Sequence, residues 1–466
     1  MREKNRKEPE DVKRFWRCPF KKRYSGLRER MAEAQVVSLR QLGEDRAAEV
    51  GFGRFLHNDR VSVDTLIEEM TGRTAEVCVG REVLAIQDTT ELNFEAHRGR
   101  HRGLGTVGNG TDAGFFLHPM LVVCAQTSSC LGIAAATMWT RHEKSTDYRN
   151  KPIEEKESYR WLATADAAKK TLIEAKQVTI IADRESDIYE EWARTPDSKT
   201  HLLTRMCRNR LLASGDDLET HTSQLVVRGV YELMVPANKK GRSERLARIE
   251  VRFGPVCIQR PQRHTAKNDP ASINLHVVDV RETPESVPAG EEPVHWCLLT
   301  NHTVISETDA RKIVEWYRQR WHIEQLFRTL KTQGLNMEAS QVETVASLQK
   351  LACIALDVAT STLQLTLARA GTDQPITVVF NEEECAFMAR LTPMLEGKTA
   401  RQKNPHQPHT LSWASWTIAR LGGWKGYASE APPGPITFSK GLLSFKLRFE
   451  GFKCRDFPHE NNNLKQ

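Results

Sequence analysis

Two short apolar runs, each ending in an aspartate, set the pattern of the first half of the chain. Residues 83–87 read Val-Leu-Ala-Ile-Gln before Asp88, and residues 178–182 read Val-Thr-Ile-Ile-Ala before Asp183. Apolar runs of this length are typical of buried strands. Two more strands and a helix are predicted between them, at 115–125, 131–139 and 157–176. Strands that alternate with helices predict an α/β fold built on a mixed sheet.

Two other stretches of the chain have different residue patterns. Residues 201–300 contain several strand-like runs separated by basic turns, which predicts a β-rich insertion. Residues 96–114 are rich in Gly, Arg and His and predict a mobile loop. The predicted organisation is a helical N-terminal domain at 1–70, a first core segment at 71–200, the insertion at 201–300, a second core segment at 301–370 and a C-terminal region with a polar tail at 371–466.

A helix free of Gly and Pro is predicted at 317–331, in a segment that follows a plausible N-cap at Ser306. At ~100° per residue its apolar side chains share one face. Polar side chains at spacings of three or four share a neighbouring face: Tyr317, Arg320, Glu324, Arg328 and Lys331. This second line has two interpretations. It is either a solvated edge held by weak ion pairs or a site that handles phosphates, with Glu324 holding a metal.

Three carboxylates far apart in sequence then form a candidate metal site. Asp88 and Asp183 end buried strands, and ligand sites of open α/β sheets lie at the carboxyl ends of strands. With Glu324 on a facing helix, they offer the oxygen ligands that two Mg²⁺ ions prefer. Each alone also has a plain interpretation. Asp88 and Glu91 have the spacing of a capping box, and Asp183 opens a predicted helix as an N-cap.

Composition and charge narrow the function class. The chain of 466 residues has 39% hydrophobic and 27% charged residues, which fits a soluble globular protein of several domains. Its net charge of +7 is uneven, because residues 1–30 contain 12 Lys and Arg against 5 Asp and Glu. A basic segment favours a polyanionic partner such as nucleic acid, although an ordinary basic surface has the same signature. We expect no membrane span and an intracellular protein.

No Cys-x-x-Cys pair is present among the ten cysteines, so a zinc ribbon or redox dithiol is not indicated. A cluster of His and Arg at 97–102 admits a zinc loop, but it lacks cysteine, and a Gly-spaced loop that contacts phosphates is favoured.

The order of these motifs resembles a known family. Gln-Asp-Thr-Thr around Asp88, Asp-Arg-Glu-Ser-Asp-Ile around Asp183 and Tyr-x-x-Arg-x-x-x-Glu-x-x-x-x-x-x-Lys from Tyr317 to Lys331 are similar to Asp-Asp-Glu transposases with the Tyr-Arg-Glu-Lys signature, the insertion sequence four family. The resemblance covers roughly residues 45–425. It implies an RNase H-like catalytic core with a helical N-terminal DNA-binding domain and a helical C-terminal dimerisation region.

The resemblance also implies roles for single residues. Asp88, Asp183 and Glu324 would be catalytic ligands of two Mg²⁺ ions, with Mn²⁺ as a substitute. Trp296 would stack on a flipped base when DNA is excised through a hairpin, unless it is a core residue of its strand. The expected DNA contacts are Tyr317, Arg320, Lys331, Arg328, Trp296 and Arg205.

The expected function is a Mg²⁺-dependent DNA transposase acting as a homodimer on double-stranded DNA, both element terminal inverted repeats and target DNA, in a bacterial cytoplasm near the nucleoid. Two alternatives stay open: a catalytically silent DNA-binding or inhibitory relative, and a metal nuclease that cuts without joining. The N-terminal stretch departs from the family pattern. Its cations remain candidate phosphate contacts: Lys21, Lys22, Arg23, Arg28 and Arg30.

Overall fold

The computed structural model describes residues 19–141, 151–235, 243–262, 264, 266, 268–372, 374–427 and 429–455. The first eighteen residues of the predicted basic segment and the predicted polar tail lie outside this range. The strands are β1 Glu82–Gln87, β2 Thr90–Asn93, β3 Gly105–Val107, β4 Asp112–Cys124, β5 Cys130–Trp139, β6 Gln177–Ala182, β7 Thr200–Arg205, β8 Gly229–Val235, β9 Arg245–Gln259, β10 Ser272–Glu282 and β11 His295–Thr300.

The helices fall into an N-terminal group, a group around the sheet and a C-terminal group. They are α1 Pro19–Ala34, α2 Leu39–Leu42, α3 Arg46–His57, α4 Val63–Cys78, α5 Tyr159–Thr171, α6 Tyr189–Arg194, α7 Leu218–Gln224, α8 Glu307–Arg318, α9 Trp321–Lys331, α10 Val345–Ala368, α11 Glu382–Leu395, α12 Leu411–Leu421 and α13 Pro435–Arg455. The predicted helical regions at both ends are thereby confirmed.

Five strands form the centre of the sheet in the order β5-β4-β1-β6-β7. β4 is antiparallel to β1 and β5, whereas β6 is parallel to β1 and β7 is parallel to β6. This is the strand order of an RNase H-like core, so the predicted α/β fold class is confirmed. Strand alternation fills both faces, since Val83 and Ala85 of β1 pack on the side of α5 while Leu84 and Ile86 pack on the side of α10.

The β-rich insertion continues the same sheet through the order β7-β11-β10-β9-β8. β7 belongs to the central five strands, so the insertion begins after β7 and not at residue 201 as predicted. The predicted loop at 96–114 is also partly regular, because β3 and the start of β4 form a hairpin within it. Within the predicted insertion, α7 ends at Gln224 and strand β8 begins at Gly229.

Helix α10 is the central support of the fold. By length and composition alone it could cross a membrane, but 89% of its most apolar 18-residue window is buried inside the protein. Its Asp357 accepts hydrogen bonds from the Tyr24 hydroxyl at 2.9 Å and the Arg28 guanidinium at 2.6 Å. Arg73 of α4 lies 2.7 Å from the same carboxylate. This buried network fixes the N-terminal helices to α10.

Candidate active site

Asp88 and Asp183 occupy matching positions on neighbouring parallel strands. The register of β1 and β6 pairs Glu82 with Gln177 and Ile86 with Ile181, a constant offset of 95 residues. Asp88 and Asp183 have the same offset. Each therefore lies one residue beyond the carboxyl end of its strand, on the same side of the sheet. Parallel strands are ~4.8 Å apart, which places the two backbones side by side.

Local hydrogen bonds orient both carboxylates. Asp88 Oδ1 accepts from the amide of Thr89 at 2.7 Å, and Asp183 Oδ1 accepts from the amide of Glu185 at 2.8 Å. Asp183 therefore does cap a short 3₁₀ turn, Arg184–Ser186, as the plain interpretation predicted. The prediction of a capping box at Asp88 is wrong, because the residues after Thr89 form strand β2 instead of a helix.

Glu324 lies in the first turn of α9, and Arg320 connects it to Asp88. Arg320 Nη1 is 3.0 Å from Asp88 Oδ2, and its Nη2 is 2.7 Å from Glu324 Oε1. The predicted continuous helix at 317–331 is interrupted here. The amide of Arg320 donates to the carbonyl of Tyr317 at 3.0 Å, a 3₁₀ contact between α8 and α9. This tight turn lets the guanidinium lie between the two carboxylates.

The three acids influence one another electrostatically. Burial raises the pKa of Asp88 to about 6, and the charge of Asp183 adds to this effect. Arg320 lowers the same pKa, while Glu324 raises it further. Asp183 and Glu324 are therefore close enough to Asp88 to repel its ionised form. A site of this kind gains from a positive charge, and Arg320 supplies one.

The donor chemistry fits a divalent metal, since all three acids offer hard oxygen ligands. As their side chains are placed, no group of three His, Cys, Asp or Glu in the described part of the chain is arranged to hold a metal ion. Arg320 spans two of the acids instead. Loading of a metal would therefore require Arg320 to release Asp88 and Glu324.

The predicted line of cations is partly engaged within the protein. Lys331 Nζ donates to the carbonyl of Glu91 at 2.9 Å and lies 3.0 Å from Glu338 Oε1. Arg328 is exposed, and its Nη2 is 4.0 Å from Glu324 Oε2. Tyr317 is buried, and burial raises the pKa of its hydroxyl. The structure is therefore compatible with both interpretations of the line, the solvated edge and the phosphate site. Ion pairs form along it, and Arg328 is exposed to solvent.

Trp296 and Arg205 lie beside this group. The ring of Trp296 on β11 meets that of Tyr317 edge to face, with centroids 5.8 Å apart, and its indole is half-buried against the core. Arg205 Nη2 donates to the carbonyl of His295 at 2.7 Å. Burial lowers the pKa of Arg205, and the nearby charges of Arg184 and Arg320 lower it further. The structure therefore gathers guanidinium groups next to the three acids.

Two cationic segments predicted to contact phosphates also form contacts within the protein. Around residues 97–102, Arg98 pairs with Glu95 at 3.0 Å and His101 Nδ1 contacts the carbonyl of Val342 at 2.9 Å. In α1, Arg28 pairs with Asp357 at 2.6 Å. The partners of His101 and Arg28 are remote in sequence and could not be predicted from it, whereas Glu95 lies only three residues before Arg98.

Sequence reasoning assigned no role to several polar residues that surround the two aspartates. Arg160 Nε donates to Thr89 Oγ1 at 3.0 Å, and His118 Nδ1 contacts the same oxygen at 2.9 Å. Burial lowers the pKa of His118 well below its usual value, and Arg160 lowers it further, so His118 is neutral. The buried carboxyl of Glu191 contacts Gln87 at 2.9 Å. The sequence signals were the position of Gln87 next to Asp88 and that of His118 within its predicted strand, whereas Arg160 and Glu191 had none.

Comparison with known families bears directly on this site. Residues 140–357 match the transposase DDE domain. The match contains Asp183 and Glu324, whereas Asp88 precedes it. This DDE domain similarity supports the predicted resemblance to DDE transposases. The piggyBac transposase in a synaptic complex with hairpin DNA is also similar, at 11% identity and a TM-score of 0.36, over 99% of this chain and 75% of its own. A TM-score of that size supports no inference about this chain.

Proposed function

We propose that this protein is a DNA transposase of the insertion sequence four family that cuts the ends of a mobile element and joins them to target DNA. The observation that supports the proposal best is the meeting of Asp88, Asp183 and Glu324. Two of them end adjacent parallel strands, and the third faces them from α9 through Arg320. The transposase DDE domain match covers two of the three.

In this proposal the three carboxylates hold two divalent ions, Mg²⁺ or Mn²⁺ in its place. When bound, such ions lower the pKa of an attacking water or 3′-hydroxyl and stabilise the leaving oxygen of the phosphodiester. Arg320, which pairs with Asp88 and Glu324 in this structure, is then released towards a DNA phosphate. The charge of Arg320 persists throughout, because its acidic neighbours and Tyr317 outweigh burial and raise its pKa.

Arg328, Lys331, Arg205 and Tyr317 then bind the DNA backbone near the cut. Lys331 lies 3.0 Å from Glu338 Oε1 and also donates to the carbonyl of Glu91, so its contact with a phosphate requires that it exchange these partners for another anion. Trp296 beside Tyr317 stacks on a flipped base during a hairpin step, because base–aromatic stacking contributes ~1–3 kcal/mol and offsets unstacking. The proposal also includes a homodimer on DNA and a bacterial cytoplasmic location.

The test uses the inverted repeats that flank the gene. Double-stranded DNA carrying these ends is incubated with the full chain and Mg²⁺, and both cleavage and joining to a target plasmid are measured. Wild type is expected to cut and join, whereas Asp183→Asn is expected to bind the ends without cutting. Asp166→Ala, an exposed residue of α5, is the matched control and should behave as wild type.

Each other result identifies a different function. Cutting without joining would identify a metal nuclease, and binding without cutting by wild type would identify a catalytically silent relative. Full cleavage by Asp183→Asn would refute the assignment of the acids.

A further inference from the structure

The turns that carry Asp88 and Asp183 are connected by a buried carboxyl. Glu191 of α6 is fully buried. Its Oε1 accepts from Gln87 Nε2 at 2.9 Å, and its Oε2 accepts from the hydroxyl of Ser186 at 2.6 Å. Gln87 directly precedes Asp88, and Ser186 ends the 3₁₀ turn that Asp183 caps. A single side chain therefore spans the ends of two adjacent strands.

A second connection runs between the same turns on their more exposed side. Arg160 Nε donates to Thr89 Oγ1 at 3.0 Å, and its Nη2 donates to Glu185 Oε2 at 2.7 Å. Thr89 directly follows Asp88, and Glu185 lies two residues after Asp183. His118 closes the network, since its ring nitrogens contact Thr89 Oγ1 at 2.9 Å and Gln87 Oε1 at 3.3 Å. The residues that flank the two aspartates are thus linked on both sides.

We infer that Glu191 is a positioning residue that fixes Asp88 and Asp183 relative to one another for metal binding. It acts through Gln87 and Ser186, because each of its two carboxyl oxygens is hydrogen-bonded to one of them and its side chain has no exposed surface. The metal part of this inference rests on the proposed function. Groups that orient metal ligands through hydrogen bonds typically change metal affinity by 10–100-fold when they are removed.

Glutamine is the informative replacement for Glu191. Burial raises the pKa of Glu191 to about 8, although its bonds with Ser186 and Gln87 lower it, so the carboxyl is largely neutral at pH 7. A glutamine has the same shape and no charge. Its oxygen can accept from Gln87 and its amide can donate to the Ser186 hydroxyl, which preserves both contacts. Alanine removes both.

The first measurement is hydrogen exchange in the full-length chain without metal. In Glu191→Ala, amides of residues 87–90 and 183–188 are expected to exchange about tenfold faster than in wild type, whereas Glu191→Gln restores slow exchange. Glu384→Ala removes another buried glutamate, on α11 in the C-terminal region, and is the matched control. It should lower the unfolding temperature without changing exchange in the two turns. Wild-type exchange in Glu191→Ala would overturn the inference.

The second measurement is Mn²⁺ binding to the same variants, followed by electron paramagnetic resonance. Affinity is expected to fall 10–100-fold in Glu191→Ala and to stay within about threefold of wild type in Glu191→Gln. Faster exchange with unchanged Mn²⁺ affinity would make Glu191 a purely structural residue and overturn the inference. Asp183→Ala separates the two proposals. If it bound Mn²⁺ as wild type does, the proposed function would fail, and the exchange measurement would still decide whether Glu191 holds the turns.

Discussion

Replacing Asp88 with asparagine should stabilise the metal-free protein while removing metal binding. Burial and the charge of Asp183 raise the pKa of Asp88 from 3.8 to about 6. Each unit corresponds to about 1.4 kcal/mol, so the ionised carboxylate costs the fold up to about 3 kcal/mol at pH 8. Its side chain is only 18% exposed, so solvent screening reduces this figure modestly. Asparagine resembles the neutral carboxyl, and we expect a gain of about 1–3 kcal/mol.

The pH dependence of this gain follows from the sign of the shift. Because the pKa is raised in the folded state, the penalty is absent below pH 4 and grows as pH rises towards and past 6. Urea unfolding with a chelator at pH 4.5 and pH 8 measures it. The gain of Asp88→Asn should be large at pH 8 and small at pH 4.5. Addition of Mn²⁺ should stabilise wild type and leave the variant unchanged.

Asp197→Asn is a control for which the opposite change in stability is expected. Burial opposes the ionisation of Asp197, but hydrogen bonds from Lys169 and from the amides of Lys199 and Thr200 outweigh it and lower its pKa to about 2. This variant should therefore lose stability at pH 8. If Asp88→Asn lost stability at pH 8 as well, or gained equally at both pH values, the conclusion that burial and the charge of Asp183 disfavour ionised Asp88 would be refuted.

Four further outcomes are expected. Asp183→Ala should abolish Mg²⁺-dependent cleavage and keep DNA binding in gel-shift assays; full cleavage would contradict its role as a ligand. Lys331→Ala should weaken DNA binding and reduce the slope of log affinity against log salt by about one, whereas an unchanged slope would exclude a phosphate contact. Trp296→Ala should impair hairpin formation more than first nicking, and equal loss would leave it a core residue. Asp357→Ala should cost about 3–5 kcal/mol in urea unfolding, because it leaves Arg28 and Arg73 without their buried partner; a loss below 1 kcal/mol would contradict this.

The positions of the two aspartates at strand ends could be predicted because the sequence pattern that indicates them is local. An apolar run before Asp88 and another before Asp183 predict strands, and the parallel register then brings their ends together. Glu324 was found on a helix for the same reason, through the spacing of its neighbours. The interruption at Arg320 was not predictable, because no Gly or Pro marks it. It accompanies an ion pair with Asp88, which is 232 residues away in sequence.

Strand pairing and buried polar contacts could not be predicted from local sequence patterns. The alternation of apolar and polar residues identified most strands of the insertion. It did not show that β11 pairs with β7, because the pairing of strands depends on the tertiary structure. The ion pair of Arg28 could not be predicted because Asp357 lies 329 residues further along the chain. Glu191 carried no signal for a similar reason. An acidic residue in a short helix normally faces solvent, and only its contacts with Gln87 and Ser186 explain its burial.

The pairing of β7 with β11 has a consequence for engineering the protein. β7 lies between β6 and β11 and bonds to both through its backbone. Excising the insertion would expose the backbone groups of β7 along a buried, apolar strand, which is a template for aggregation. A shortened version of this chain would therefore have to retain β11, and with it Trp296, even if the outer strands were removed.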